Sequence, residues 1–121
     1  MNVISNYIIY TSYFSNSKRI PKDIKLVSIA QKTPIWFVGR TYKKLVPPYE
    51  LLQLYKENNN TEFYIQYYKK NILEHLVPSQ VIRELTSNGP VALLCYEKDG
   101  FCHRHLVADW LCENGFACRE W

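Results

Sequence analysis

Apolar positions along the chain change their period between the two ends and the middle. Residues 6–14, NYIIYTSYF, make a short run rich in Ile and Tyr that ends in the polar SNSKRIPKD. Residues 24–30, IKLVSIA, make a second, nearly continuous apolar run of strand length. Neither alternates cleanly, which predicts strands covered on both faces, as in a parallel sheet. The next stretch, QKTPIWFVGRTYKKLVPP, carries three prolines and a glycine and predicts a long irregular excursion. From Pro48 the period becomes helical. Leu51, Leu52 and Tyr55 share a face before the ENNN break, and in residues 61–76 Tyr64, Tyr68, Ile72 and Leu76 line one side of an amphipathic helix. Pro78 is expected to interrupt that helix, SQVIREL to add a further turn or two, and Gly89 to close it. Residues 90–97, PVALLCYE, then predict a third strand; 102–114 a helix closed by Gly115; and FACREW a final strand.

Strands flanking a helical middle, with a strand–loop–helix–strand ending, define an open α/β sheet. Sites in such sheets form where loops leave the carboxyl ends of the strands. Those loops begin near Tyr10–Ser15, Ala30–Pro34 and Tyr96–Cys102, so three segments are expected to converge on one crevice.

Composition narrows this picture. A chain of 121 residues reads as a single domain, 1–121, and 47% hydrophobic with 21% charged residues reads as globular. No apolar run approaches the roughly 20 residues of a membrane span, and the start lacks the basic residues of a signal peptide. The expectation is a cytoplasmic protein without membrane partners, its four cysteines reduced. Their positions, 95, 102, 112 and 118, include no C-x-x-C. Residues 1–44 hold eight basic side chains against one acidic, whereas residues 45–121 hold seven against ten. That asymmetry fits either a face of positive potential that draws anions or solvated lysine-bearing loops.

Chemistry concentrates where the third strand gives way to the last helix. Stepping round 102–114 in helical increments puts Leu106, Val107, Trp110 and Leu111 on one stripe with His103, while His105, Asp109 and Cys112 lie opposite. His103 therefore faces the sheet, either toward a ligand or bonded to a strand carbonyl. Cys102 sits at the helix start, where unpaired amides and the positive end of the macrodipole favour an anion or a thiolate. Arg104 and His103 would add charge-assisted donors. A cysteine-phosphatase loop is excluded, because eight residues rather than five separate Cys95 from Arg104. A nucleophilic Cys102 activated by His103 is open, as is Glu97 as general acid or base. A metal site on Cys95, Cys102, His103 and His105 lacks the usual spacing, and none is expected; glycine-rich phosphate loops are absent, and no cofactor is expected.

The stretch LLCYEKDGFCHRHLVADWL closely resembles the signature of the bacterial and viral family called domain of unknown function 488, a strand ending in CYE followed by CHR at a helix start. YTSYFSN, SIAQKTP, LVPPYELLQLYK and the tyrosine-rich helix agree in order, so the resemblance spans nearly the whole chain. It implies a small Rossmann-like α/β domain with an open, mostly parallel sheet of about four or five strands. It also implies a shared site of Cys95, Glu97, Cys102, His103 and Arg104, with Thr11 and Ser28 from neighbouring strands, and a loose association with nucleic acid or nucleotide metabolism.

The expected function is accordingly the binding of a phosphate-bearing ligand, a nucleotide or nucleic acid, at Cys102–His103–Arg104, with hydrolysis or group transfer by Cys102, His103 and Glu97. Arg104, Tyr96, Cys95, Thr11, Tyr13, Ser28, Trp36 and Arg40 are the expected ligand contacts, with a base stacked on Trp36, Tyr13 or Tyr42. Two alternatives stand beside it. One is a non-enzymatic binder that sequesters a signalling nucleotide or docks on DNA; the other is an interaction protein whose helix start is only structural.

Overall fold

The computed structural model describes residues 8–97 and 101–121. The first two residues of the first expected strand and residues 98–100 of the loop before the last helix lie outside that range. Five strands form one sheet: β1 (Ile9–Tyr13), β2 (Lys25–Ser28), β3 (Arg40–Thr41), β4 (Val91–Cys95) and β5 (Cys118–Glu120). Their order is β3-β2-β4-β1-β5, and every pairing is parallel. Four helices accompany them: α1 (Tyr49–Asn58), α2 (Thr61–Asn71), α3 (Pro78–Leu85) and α4 (His103–Glu113). The result is a small Rossmann-like α/β fold.

The apolar runs are continuous because both sheet faces are covered, but the two covers differ. Ile9, Val27, Val91 and Leu93 face a large core completed by Leu51, Tyr64, Tyr68, Ile82, Leu85, Val107 and Leu111, drawn from all four helices. Ala92 and Leu94 point the other way, as strand alternation requires. They meet Phe14, Ile20, Ile24 and Ala30, from the turns that follow β1 and β2. One face carries the helices, and the other is roofed by loops.

Local expectations change in three places. β3 lies inside the stretch read as irregular; two residues are too short to leave a periodic signal, and Tyr42 N–H extends the pairing by donating to Ser28 O at 2.9 Å. The helix over 61–76 ends at Asn71 and continues as a separate turn, Leu73–His75. Pro78 begins a helix instead of interrupting one, since the first helical position needs no amide donor. Before α2, Asn60 caps the helix by accepting from Phe63 N–H at 3.0 Å.

Tyr68 is wholly buried on α2, and its hydroxyl donates to Leu45 O at 2.6 Å, fastening that helix to the segment before α1. Tyr68→Phe leaves a buried carbonyl unpaired. It is expected to cost about 1–2 kcal/mol in urea-induced unfolding, with the slope of the transition unchanged.

Candidate functional site

The chain leaves β2 toward β3 on one side and leaves β4, through α4, toward β5 on the other. The connections diverge between β2 and β4, the position at which open α/β sheets form a crevice. A pocket of about 270 Å³ lies there. Ala30, Gln31 and Lys32 line it from the exit of β2, and Cys95, Tyr96, Glu97, Phe101, Cys102 and His103 from the β4–α4 connection. Tyr55 and Lys56 of α1 and Tyr64 of α2 complete a wall in which the Tyr55, Tyr64 and Phe101 rings contact one another at 4.8–5.7 Å. A larger depression, about 710 Å³, lies elsewhere against Ile20–Leu26 and Val38–Arg40, and no thiol or imidazole lines it.

The first turn of α4 is buried over three consecutive residues: Cys102, His103 and Arg104. His103 Nε2 lies 2.7 Å from Ile29 O, just past the end of β2. The carbonyl can only accept, so Nε2 carries the proton and Nδ1 is left as the acceptor. Nδ1 lies 3.9 Å from Cys102 Sγ, and the ring meets the edge of Tyr68. Burial disfavours the imidazolium most strongly, with Arg104 adding repulsion against the opposing pull of the Ile29 bond, and the pKa falls from 6.5 to about 4. His103 is thus neutral at physiological pH. Nearby, burial raises the Tyr64 pKa above the ordinary phenol value, reinforced by the negative charge of Glu97, so this hydroxyl stays protonated.

Arg104 departs from its expected role. A ligand is the expected partner of its guanidinium, but the residue is only 1% exposed and bonds within the protein. Nε donates to both Glu120 carboxylate oxygens at 3.2 and 3.1 Å, and Nη2 to Oε2 at 2.9 Å. Nη1 donates to Cys95 Sγ at 3.1 Å and to the Glu97 carbonyl oxygen. Thr11, on β1 directly opposite Glu120 in the parallel register, donates its hydroxyl to the same carboxylate at 2.6 Å. Tyr13, opposite Cys95, lies beneath the guanidinium with its ring centre 5.8 Å away. Thr11 and Tyr13 therefore hold Arg104 and do not line the pocket.

The remaining expected residues divide. Cys95, Tyr96, Glu97, Cys102 and His103 share the pocket. Ser28 sits below it, where its hydroxyl accepts from Ala30 N–H at 3.3 Å and lies 3.0 Å from Thr33 Oγ1, shaping the β2 exit. Trp36 and Arg40 are outside it. Trp36 is half exposed with its edge on Phe14, and Arg40 donates to Glu84 O and Leu85 O at the end of α3. Tyr42 is buried with its hydroxyl on Glu84, so no base can reach its face. The cysteines also differ from expectation: Cys95 and Cys102 are bonded to each other, while Cys112 and Cys118 are free. The cause is tertiary, because α4 folds back over the end of β4 and sets its capping residue, Cys102, beside the strand's last, Cys95.

Glu120, Lys32, Lys56, Tyr55, Tyr64 and Phe101 join the site without being among the residues expected there. Tyr55 and Tyr64 carried a signal, the helical apolar stripe, but that stripe reads as core. Glu120 carried none, since only the parallel register joins it to Thr11.

A family model described as the active DUF488-N3 subclade matches residues 15–115. No curated protein and no solved structure matches the chain.

Two outcomes follow from this geometry. In the unfolded chain His103 takes up a proton near pH 6.5, whereas in the fold it does so only near 4. Stability is therefore undiminished above pH 6.5 and falls as pH drops from 6.5 to 4, by on the order of 3 kcal/mol. In denaturant unfolding of the chelator-treated protein, His103→Gln should flatten that fall. Separately, Glu120→Ala removes the carboxylate that accepts three of the buried guanidinium's hydrogen bonds and should cost roughly 2–4 kcal/mol. The double variant Arg104→Met/Glu120→Ala, which removes the buried guanidinium together with that carboxylate, should be no less stable than Glu120→Ala.

Proposed function

The chain belongs to the DUF488 family, and from that membership we propose that it takes a nucleotide into the pocket between β2 and β4 and acts on it by hydrolysis or group transfer. One observation carries this reading: a single volume of about 270 Å³ brings together an aromatic wall, two lysines and a cysteine–imidazole–carboxylate group. Tyr55 and Phe101 offer ring faces to a base, since stacking on aromatic side chains works for any base. Lys32 and Lys56 supply the phosphate with charge-assisted donors, the part first expected of Arg104. Glu97 stands at the mouth as general acid or base. Cys95, Cys102 and His103, in the same lining, would border the reacting end of the ligand. The volume lies just below the range of about 300–1,000 Å³ usual for small-molecule pockets, which favours a mononucleotide or one flipped-out nucleotide over a duplex. The word "active" in the family model's description supports catalysis over storage.

Thermal unfolding against a panel of mononucleotides tests the proposal. At least one nucleotide is expected to raise Tm, and Lys32→Ala/Lys56→Ala should weaken its binding at least tenfold, the loss expected for charge-assisted contacts. Glu97→Gln should keep binding and lower turnover by about 10²–10⁴. Stabilisation without product would favour the sequestering binder. If no nucleotide moves Tm and none is converted, the reading fails.

A further inference from the structure

We propose that the reduced chain binds one soft divalent cation of the zinc class through Cys95 Sγ, Cys102 Sγ and His103 Nδ1. The inference deepens the reading above by naming the chemistry of that wall, and it rests on the proposed pocket only for the ion's fourth position. The ligand atoms of Cys95, Cys102 and His103 all lie within 4.8 Å of one another, and all three residues are buried. Zinc–sulfur bonds of about 2.3 Å at a tetrahedral angle separate two sulfurs by about 3.8 Å. The three donors thus need only side-chain rotation to surround an ion. Two thiolates and one imidazole, with the fourth position left to solvent or substrate, is a donor set that catalytic zinc sites use.

What surrounds the donors is prepared for that role. A metal-bound imidazole almost always donates its other ring N–H to a fixed acceptor, which sets the tautomer and the ring plane. His103 makes such a bond to Ile29 O at 2.7 Å, so Nδ1 is the nitrogen left to coordinate. A thiolate ligand is similarly steadied by an outer donor, and Arg104 Nη1 lies 3.1 Å from Cys95 Sγ. Glu120 already balances the guanidinium at 2.9 Å. Two thiolates cancel the charge of a divalent ion, so the assembled centre is neutral and suits a buried position. The three ligands also line the pocket that holds Glu97, so a fourth ligand would reach the ion from that cavity.

In the structure the two sulfurs are bonded to each other, and that state excludes coordination. A phosphine reduces the pair: the phosphorus takes an oxygen from water and becomes the phosphine oxide, the S–S bond breaks, and two thiols result. Binding the cation then releases two protons, one from each thiol.

The test is a titration of the phosphine-reduced full-length chain with Co²⁺, without nucleotide. The expected result is an endpoint at one equivalent, with a sulfur-to-cobalt charge-transfer band in the near ultraviolet and visible bands of tetrahedral intensity, all displaced by Zn²⁺. X-ray absorption of the zinc form should count two sulfurs at about 2.3 Å and one ring nitrogen at about 2.0–2.1 Å. Cys102→Ser should weaken cobalt binding more than tenfold, while Cys112→Ser, which removes an exposed thiol, should leave it unchanged. Folded, reduced wild type that shows no charge-transfer band overturns the inference, whatever the variants do. So does a band lost with Cys112. Nucleotide binding measured in chelator tests the pocket separately, so the two proposals fail independently.

Discussion

A guanidinium with 1% of its surface exposed must be surrounded by acceptors, because an unpaired charge in that position costs a large fraction of a folded domain's stability. Arg104 meets the requirement by reaching across the sheet. Its donors engage Glu120 on β5, Cys95 at the end of β4 and the carbonyl of Glu97 beyond it. Thr11 on β1 bonds the same carboxylate, so one side chain depends on three adjacent parallel strands being in register. Such a network adds little to stability compared with an apolar replacement. Its consequence is geometric: α4 can begin at only one height above the sheet.

The rest of the site follows from that height. Successive helical residues point about 100° apart, so Arg104 turns toward β1 and β5 while His103 turns toward β2 and finds Ile29 O. Cys102, still extended at the helix start, falls against Cys95. Three consecutive side chains fasten the helix to three different strands. None of them is offered to a phosphate in the way an open helix N-terminus would offer it. The open surface lies one strand over, where the connections leaving β2 and β4 diverge and α1 and α2 close the far wall.

The sequence conveyed fold class well because strand-length apolar runs and a helical middle are period signals, and the runs that form β1, β2 and β4 keep theirs. It placed His103 on the buried side of its helix for the same reason, and its bond to a main-chain carbonyl just past β2 is one of the two outcomes open from the pattern alone. Cys95, Glu97, Cys102 and His103 were legible as a group because they are close in the chain. What sequence hid depends on contacts between distant segments. The positive charge of Arg104 reads as a surface group until Glu120 is known to be its neighbour, and residues 16 apart on different elements leave no pattern. β3 was hidden by brevity, and the pocket's aromatic wall by ambiguity, since Tyr55 and Tyr64 face both the core and the cavity.

The basic excess of residues 1–44 resolves into separate uses. Arg40 caps the last carbonyls of α3, where the helix dipole favours a cation, and Lys44 pairs with Glu84 on the same helix. Lys18, Lys22 and Lys25 rim the shallow depression at Ile20–Leu26, away from the thiols. From that whole segment only Lys32 reaches the pocket, where Lys56 of α1 joins it. Two ammonium groups balance about one phosphate dianion, and affinity for a long polyanion grows with the number of phosphates neutralised together. For the nucleotide proposed, a cavity this small, with two cations and aromatic rings in its lining, would discriminate by shape and stacking more than by total charge. On the proposed reading, that arrangement would select one nucleotide and would grip the backbone of a duplex poorly.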